Sequence, residues 1–149
     1  MMEKSVNKFI ENKSNAFEEY LIGLLKNHPE IKSPINKIFF LEWHFQQLFI
    51  PQSKYFFFPE FHQKGITGNY RVDFMVVKHD FSKHIAIEVD GHDFHEKTKA
   101  QVRKDKIRER FITKNVTKLL RFSGSEVFKD PQKAINEVLC LIINIEGEY

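Results

Sequence analysis

The sequence predicts an α/β fold, a mixed four-stranded sheet flanked by helices on both faces, and three observations predict it. Two short runs alternate apolar and polar residues, Val72, Phe74 and Val76 in one and Ile85, Ile87 and Val89 in the other, with the polar run KHDFSK between them. That is a hairpin signal. Segments before and after the hairpin carry apolar stripes at helical spacing. Finally, a strand at 83–90, a helix at 96–113 and a strand at 117–122 form a crossover unit, which should be right-handed and parallel.

Taken in order, residues 3–27 read as helical in two pieces, with Ser14 as an N-cap and Phe17, Tyr20, Leu21, Leu24 and Leu25 as one core-packing stripe. NHPEIKSP interrupts them, and Ser33 with Pro34 opens a second helix through about Phe49. Its buried side is Ile35, Ile38, Phe39, Phe45 and Phe49. Glu42 falls on the same stripe, pointing either toward the hairpin carboxylates or to a solvent edge, whereas His44 lies off it and is structural. Pro51 closes this region. KYFFFPEF is a strand that Pro59 confines to a sheet edge or a bulge, His62 follows in a loop, and GITGN turns into the hairpin. The long basic helix ends at Asn115, a residue that tolerates the left-handed position after a helix. Asp130 and Pro131 open a last helix with Ala134, Ile135, Val138, Leu139 and Ile142 inward.

The 149 residues make one domain, able to bury about 68–70% of the unfolded surface. Sixteen phenylalanines and 42% hydrophobic residues argue against disorder. No apolar run reaches the ~18 residues of a membrane span, and MMEKSVNKFI has no signal-peptide core, so a cytoplasmic location is expected. Cys140 has no partner for an internal disulfide and sits in an apolar stretch, as a core residue of a reducing compartment would. A net charge of +3 is too small to mark a nucleic-acid binder by itself, but Lys97, Lys99, Arg103, Lys104, Lys106, Arg108, Arg110 and Lys114 crowd one helix against Asp105 and Glu109.

The chemistry concentrates in residues 69–95. If the hairpin pairs 72 with 89, 74 with 87 and 76 with 85, Asp73 lies opposite Glu88, and Asp90 follows on the same face. Like charges so placed repel unless a cation or a retained proton relieves them. Carboxylate oxygens in an incomplete cage suit Mg²⁺, whose shell water and substrate phosphate complete. The alternative is a solvated polar face whose register slips by two residues and separates Asp73 from Glu88. His92 and His95 lack the cysteines or second pair of a structural zinc site. Either one of them handles a proton or a phosphate beside the carboxylates, or both are exposed turn residues. The glycines of GITGN supply turn geometry, with no phosphate-binding helix after them.

These residues resemble a known superfamily. The order αβββαβ, with Asp73 on the second strand and Glu88-Val89-Asp90 on the third, resembles the PD-(D/E)xK, or restriction-endonuclease-like, nucleases. EVDGHDFH, then QVRKDKIRERFI and NVTKLLRF, is similar to the small nuclease domains related to very-short-patch-repair endonucleases. The resemblance covers about residues 33–145, which it implies are the nuclease core, with 1–32 an N-terminal helical extension. It implies that Asp73 and Glu88 bind the metal with the Val89 carbonyl as a third ligand, that His95 is the catalytic histidine, and that Asp105 and Arg108 form a helix motif ordering the site or meeting phosphate. Arg121 matches the strand-end arginine, and Glu42 stands for the first-helix acidic residue. Asp90 replaces the superfamily lysine, leaving His95 or a lysine of the next helix to orient the attacking water. The zinc site of the repair enzymes cannot form with Cys140 alone, so mismatch repair is not implied.

The expectation is a Mg²⁺-dependent DNA endonuclease, with Mn²⁺ as a substitute metal and with Asp73, Glu88, Asp90, His95 and Glu42 as catalytic residues. Arg103, Lys104, Arg108 and Arg121 would bind DNA phosphates, supported by Asp105. An RNA-directed nuclease and a catalytically silent binding module on the same fold are the alternatives. No separate DNA-reading domain is evident; specificity would come from loops such as 62–69, the N-terminal helices, a homodimer partner or another protein.

Overall fold

The computed structural model describes residues 4–50, 54–65, 68–90 and 98–146. In chain order the elements are Lys4–Glu11 (α1), a 3-10 turn at Asn15–Phe17, Glu18–Asn27 (α2), Pro34–Gln47 (α3), Tyr55–Gly65 (β1), Gly68–Lys78 (β2), His84–Asp90 (β3), Lys99–Asn115 (α4), Lys118–Ser123 (β4), Gly124–Lys129 (α5) and Pro131–Glu146 (α6). The fold is α/β. Two compact units divide it, Met1–Ser53 with Gly124–Tyr149 and, separately, Lys54–Ser123.

In the helical unit, α3 touches α1, α2, α5 and α6. Ser33 caps it as expected, its Oγ accepting the Asn36 N–H at 3.4 Å, with Pro34 in the first turn where no N–H is needed. Every residue from Ile38 to Trp43 is buried, so the helix is buried around its whole circumference rather than along one stripe. Phe40, Leu41 and Trp43 close the sides that a single stripe leaves open. The helix stops at Gln47, so Phe49 lies beyond it and is 63% exposed rather than buried. In α2 only Leu21 is buried, and Tyr20 is 39% exposed. Asp130 caps α6 through its Oδ1 and the Lys133 N–H at 3.0 Å, and Ala134, Ile135, Val138 and Ile142 are buried as the spacing requires. Cys140 is exposed rather than in the core, because it falls two positions after Val138, off that stripe.

The sheet unit has strand order β1-β2-β3-β4, antiparallel twice and then parallel. Phe74 pairs with Ile87 and Val76 with Ile85, the expected register. Pro59 sits on edge strand β1, opposite Phe74, where a proline is tolerated. His62 is within β1, opposite Arg71, and not in a loop: the β1–β2 pairing continues to Gly65 opposite Gly68. The connection at 66–67 is outside the described residues.

One face of this sheet packs beneath α4. Val72, Met75, Val77, Ala86 and Ile112 form a buried cluster, with Phe61, Tyr70, Phe111, Val116 and Leu119 against it. Val72 and Met75 are an odd number apart, so strict alternation would place them on opposite faces. Alternation slips between them, beside Asp73, where the facing β1 residue Glu60 has a φ of 50°. Val72 therefore belongs with α4 and not with Phe74 and Val76.

α4 starts at Lys99 rather than 96, because Thr98 and Gln101 form a capping box: Thr98 Oγ1 accepts the Gln101 N–H at 3.2 Å and Gln101 Oε1 accepts the Thr98 N–H at 2.9 Å. It ends at Asn115 without a left-handed residue; Asn115 Nδ2 instead donates to the Phe111 carbonyl at 2.8 Å. Among the described residues, no helix is long and apolar enough to cross a membrane.

Candidate active site

The β2–β3 ladder has its last backbone pair at Phe74 and Ile87. One step further, the Asp73 side chain takes over from the main chain: its Oδ2 accepts the Val89 N–H at 2.8 Å. Asp73 is thereby oriented by the backbone of β3, next to Glu88. Glu88 is only 7% exposed, on the strand that also carries buried Ala86.

A buried carboxylate must be paired, and Glu88 is paired through α4. Ile112 is fully buried over the sheet, and Arg108, one turn earlier, shares its side of the helix. Arg108 Nη2 donates to Glu88 Oε1 and to the main-chain carbonyl of Arg71. Burial alone would lower the Arg108 pKa, but the hydrogen bond and charge of Glu88, then the charges of Asp73 and Asp105, raise it above its usual value. Arg121, opposite Glu88 on β4, brings Nη2 to 3.7 Å from Glu88 Oε2 and 3.5 Å from Glu109 Oε2. Arg71 lies 2.9 Å from Glu60 Oε2 and 4.0 Å from Asp73 Oδ1. The carboxylates thus sit in an alternating network of acids and arginines.

Of the predicted residues, the sheet unit brings together Asp73, Glu88, Val89, Arg108 and Arg121, with Asp105 acting electrostatically on Arg108. Asp90 is the last residue of β3, half-buried and opposite Ser123. Arg103 and Lys104 are exposed on α4. Arg108 faces inward, with 27% side-chain exposure, so its contact is a carboxylate and not open solvent. His95 and His92 lie outside the described residues. Glu42, in the helical unit, is 1% exposed, and Lys13 Nζ lies 3.0 Å from its Oε2 while also capping the Phe9 and Phe45 rings at 4.8 and 4.3 Å.

Sequence reasoning missed Arg71, Glu60 and Glu109. Arg71 is two positions before Asp73 on the same strand and Glu60 sits between Pro59 and Phe61 where the β1–β2 register is interrupted, so strand period, which slips there, did not place either.

Oxygens of Glu88 and of the Arg71 main chain converge on one cationic nitrogen, with Asp73 adding to its field. Hard oxygens around a cation are a donor set that magnesium accepts. Among the described residues no group of three or more His, Cys, Asp or Glu side chains forms a metal cage, so any ion here completes its shell otherwise. Beside the site, α4 and β4 enclose a cleft of about 340 Å³ lined by Glu109, Thr113, Lys118 and Arg121, among others. Arg121 therefore faces both Glu88 and an open cleft.

No curated protein and no solved structure gives a significant match to this chain. The family model REase_MTES_1575 does match, over residues 59–142, more than half of the chain and a span that contains Asp73, Glu88, Arg108 and Arg121. The ordered strand carboxylates, the arginine of α4 and the arginine of β4 thus fall within the match, and the chain belongs to this restriction-endonuclease-like family.

Proposed function

We propose that the protein is a metal-dependent DNA endonuclease of the branch related to very-short-patch-repair enzymes, hydrolysing phosphodiester bonds with Mg²⁺. The observation that carries this reading is the meeting of Asp73 and Glu88 at the open end of the β2–β3 ladder, with the Val89 N–H held by Asp73. Asp73 and Glu88 are the residues that hold the metal, and the Val89 carbonyl is the third candidate. A magnesium ion bound there supplies neutralisation of phosphate charge and activation of water.

The remaining work falls to the chain's own groups. Asp73 is fixed by the main chain, so its orientation is set before any substrate arrives. Arg121, 39% exposed, is the cation available to a backbone phosphate, joined by exposed Arg103 and Lys104 of α4. Such contacts position the backbone and carry no sequence information. His95 is assigned the proton transfer.

The test is cleavage of supercoiled plasmid with Mg²⁺ or Mn²⁺ by the wild-type chain, Asp73→Ala and Glu88→Ala. Nicking or linearisation that requires metal and is lost in both variants is the expected result. Wild-type protein that binds DNA without cutting under either metal, with both variants binding equally, sinks the enzyme reading and leaves a silent binding module. Matched RNA substrates separate the DNA and RNA activities.

A further inference from the structure

Glu88 supplies the charge a divalent cation needs, yet each of its oxygens already faces a guanidinium. The two arginines are not equivalent. Arg108 hydrogen-bonds Glu88 Oε1 directly and shares the same nitrogen with the Arg71 carbonyl. Arg121 stands off at 3.7 Å and divides itself between Glu88 and Glu109. From these contacts we infer that Arg108 is a resident counter-cation of Glu88 which a divalent metal ion must displace, so that the Arg108–Glu88 pair sets the metal affinity of the site. This rests on the metal-binding reading of Asp73 and Glu88.

The chemistry is exclusion by charge and by lone pairs. A guanidinium and a divalent ion on the same carboxylate oxygen repel one another, and at separations of a few ångströms inside a protein that repulsion is large. The pair also has a way to open. Ile112, fully buried, anchors α4, while the Arg108 side chain retains 27% exposure and a long flexible stem. The helix stays and the side chain leaves. Asp73 is anchored differently: its Oδ2 accepts the Val89 main-chain N–H, and the nearby Arg71 stands 4.0 Å from its other oxygen. Metal entry therefore exchanges one ion pair at Glu88 and leaves Asp73 in place. Arg108 is in this sense a positioning residue: it holds Glu88 aimed while no metal is bound, at the expense of metal affinity.

The experiment measures Mn²⁺ binding to the full chain without DNA, by calorimetry and by the electron paramagnetic resonance signal of free Mn²⁺, for wild type, Arg108→Met, Arg108→Lys and Glu88→Gln. Arg108→Met is expected to bind Mn²⁺ roughly tenfold more tightly than wild type, the order of one charge-assisted hydrogen bond no longer given up. Arg108→Lys, which keeps the charge, should stay near wild type, and Glu88→Gln should lose binding. A folded Arg108→Met that binds Mn²⁺ no more tightly than wild type overturns the inference alone. Failure of both wild type and folded Arg108→Met to bind Mn²⁺ overturns the metal-site reading and the inference with it. If Arg108→Met does not fold, the wild-type protein decides through its arginine side-chain NMR signals: the Arg108 guanidinium hydrogens should exchange faster on addition of Mg²⁺. An unchanged Arg108 signal while the Glu88 carboxylate carbon responds to Mg²⁺ refutes displacement.

Discussion

Acidification should destabilise this protein through His44. His44 is half-buried on α3, its ring edge-on to Phe40 at 4.5 Å, and burial, followed by the charge of His28, pushes its pKa down from 6.5 to about 4. In the unfolded chain the same imidazole protonates near 6.5. Because the folded value is depressed, the unfolded state binds more protons between those two values, so stability is fully present above about 6.5 and is lost as pH falls toward about 4. The full shift is worth about 3 kcal/mol, of which about 2 kcal/mol is lost between pH 7 and pH 5. Set against the roughly 5–15 kcal/mol of a typical domain, that is a visible change in a urea midpoint. His28, the neighbour whose charge contributes to the depression, is itself paired with Glu30 at 2.9 Å. The assay is urea unfolding at pH 7, 6 and 5 for wild type and His44→Phe, comparing slopes with pH rather than absolute stabilities. Parallel lines for the two proteins over that range would refute the assignment to His44.

Three further substitutions test how α4 is held over the site. Ile112→Ala removes a fully buried side chain from the cluster beneath α4 and should cost about 2–5 kcal/mol in urea unfolding, whereas Ile107→Ala, at a residue 41% exposed on the same helix, should cost well under half of that. Thr98→Ala removes one half of the capping box and should destabilise by about 1 kcal/mol, read as faster amide hydrogen exchange confined to the first turn of α4.

The hairpin was legible because a one-residue slip would move Phe74, Val76, Ile85 and Ile87 to the opposite face, which Met75, Val77 and Ala86 fill beneath α4. That constraint carried Asp73 and Glu88 together without any knowledge of a family. Arg108 was harder. Eight basic residues crowd residues 97–114, and by composition they are interchangeable. What singles out Arg108 is its spacing of four from Ile112, the only buried residue of α4, and that was not visible while Ile112 was one apolar residue among several. The burial of α3 on all sides was unreadable for a related reason: a stripe search looks for the apolar face and stops, and Phe40, Leu41 and Trp43 were left over. The start of α4 was missed because the basic run reads as helix from its first lysine, whereas the reciprocal bonds of Thr98 and Gln101 decide where the first turn closes.

The network around Glu88 also changes what the carboxylates by themselves imply. Opposed strand carboxylates demand a cation to offset their repulsion, and taken alone that demand points to a metal. Here Arg71, Arg108 and Arg121 meet it from within the chain. Repulsion is therefore no argument for a metal in this protein, and the metal proposal rests on the open ladder end and the oxygen-rich donor set. The two carboxylates are still anchored differently: Asp73 accepts a main-chain N–H in addition to facing Arg71, and Glu88 is held by the side chains of Arg108 and Arg121. A site built this way is pre-formed at Asp73 and exchangeable at Glu88. Under the proposed displacement, its affinity for a divalent ion depends on which cation holds Glu88.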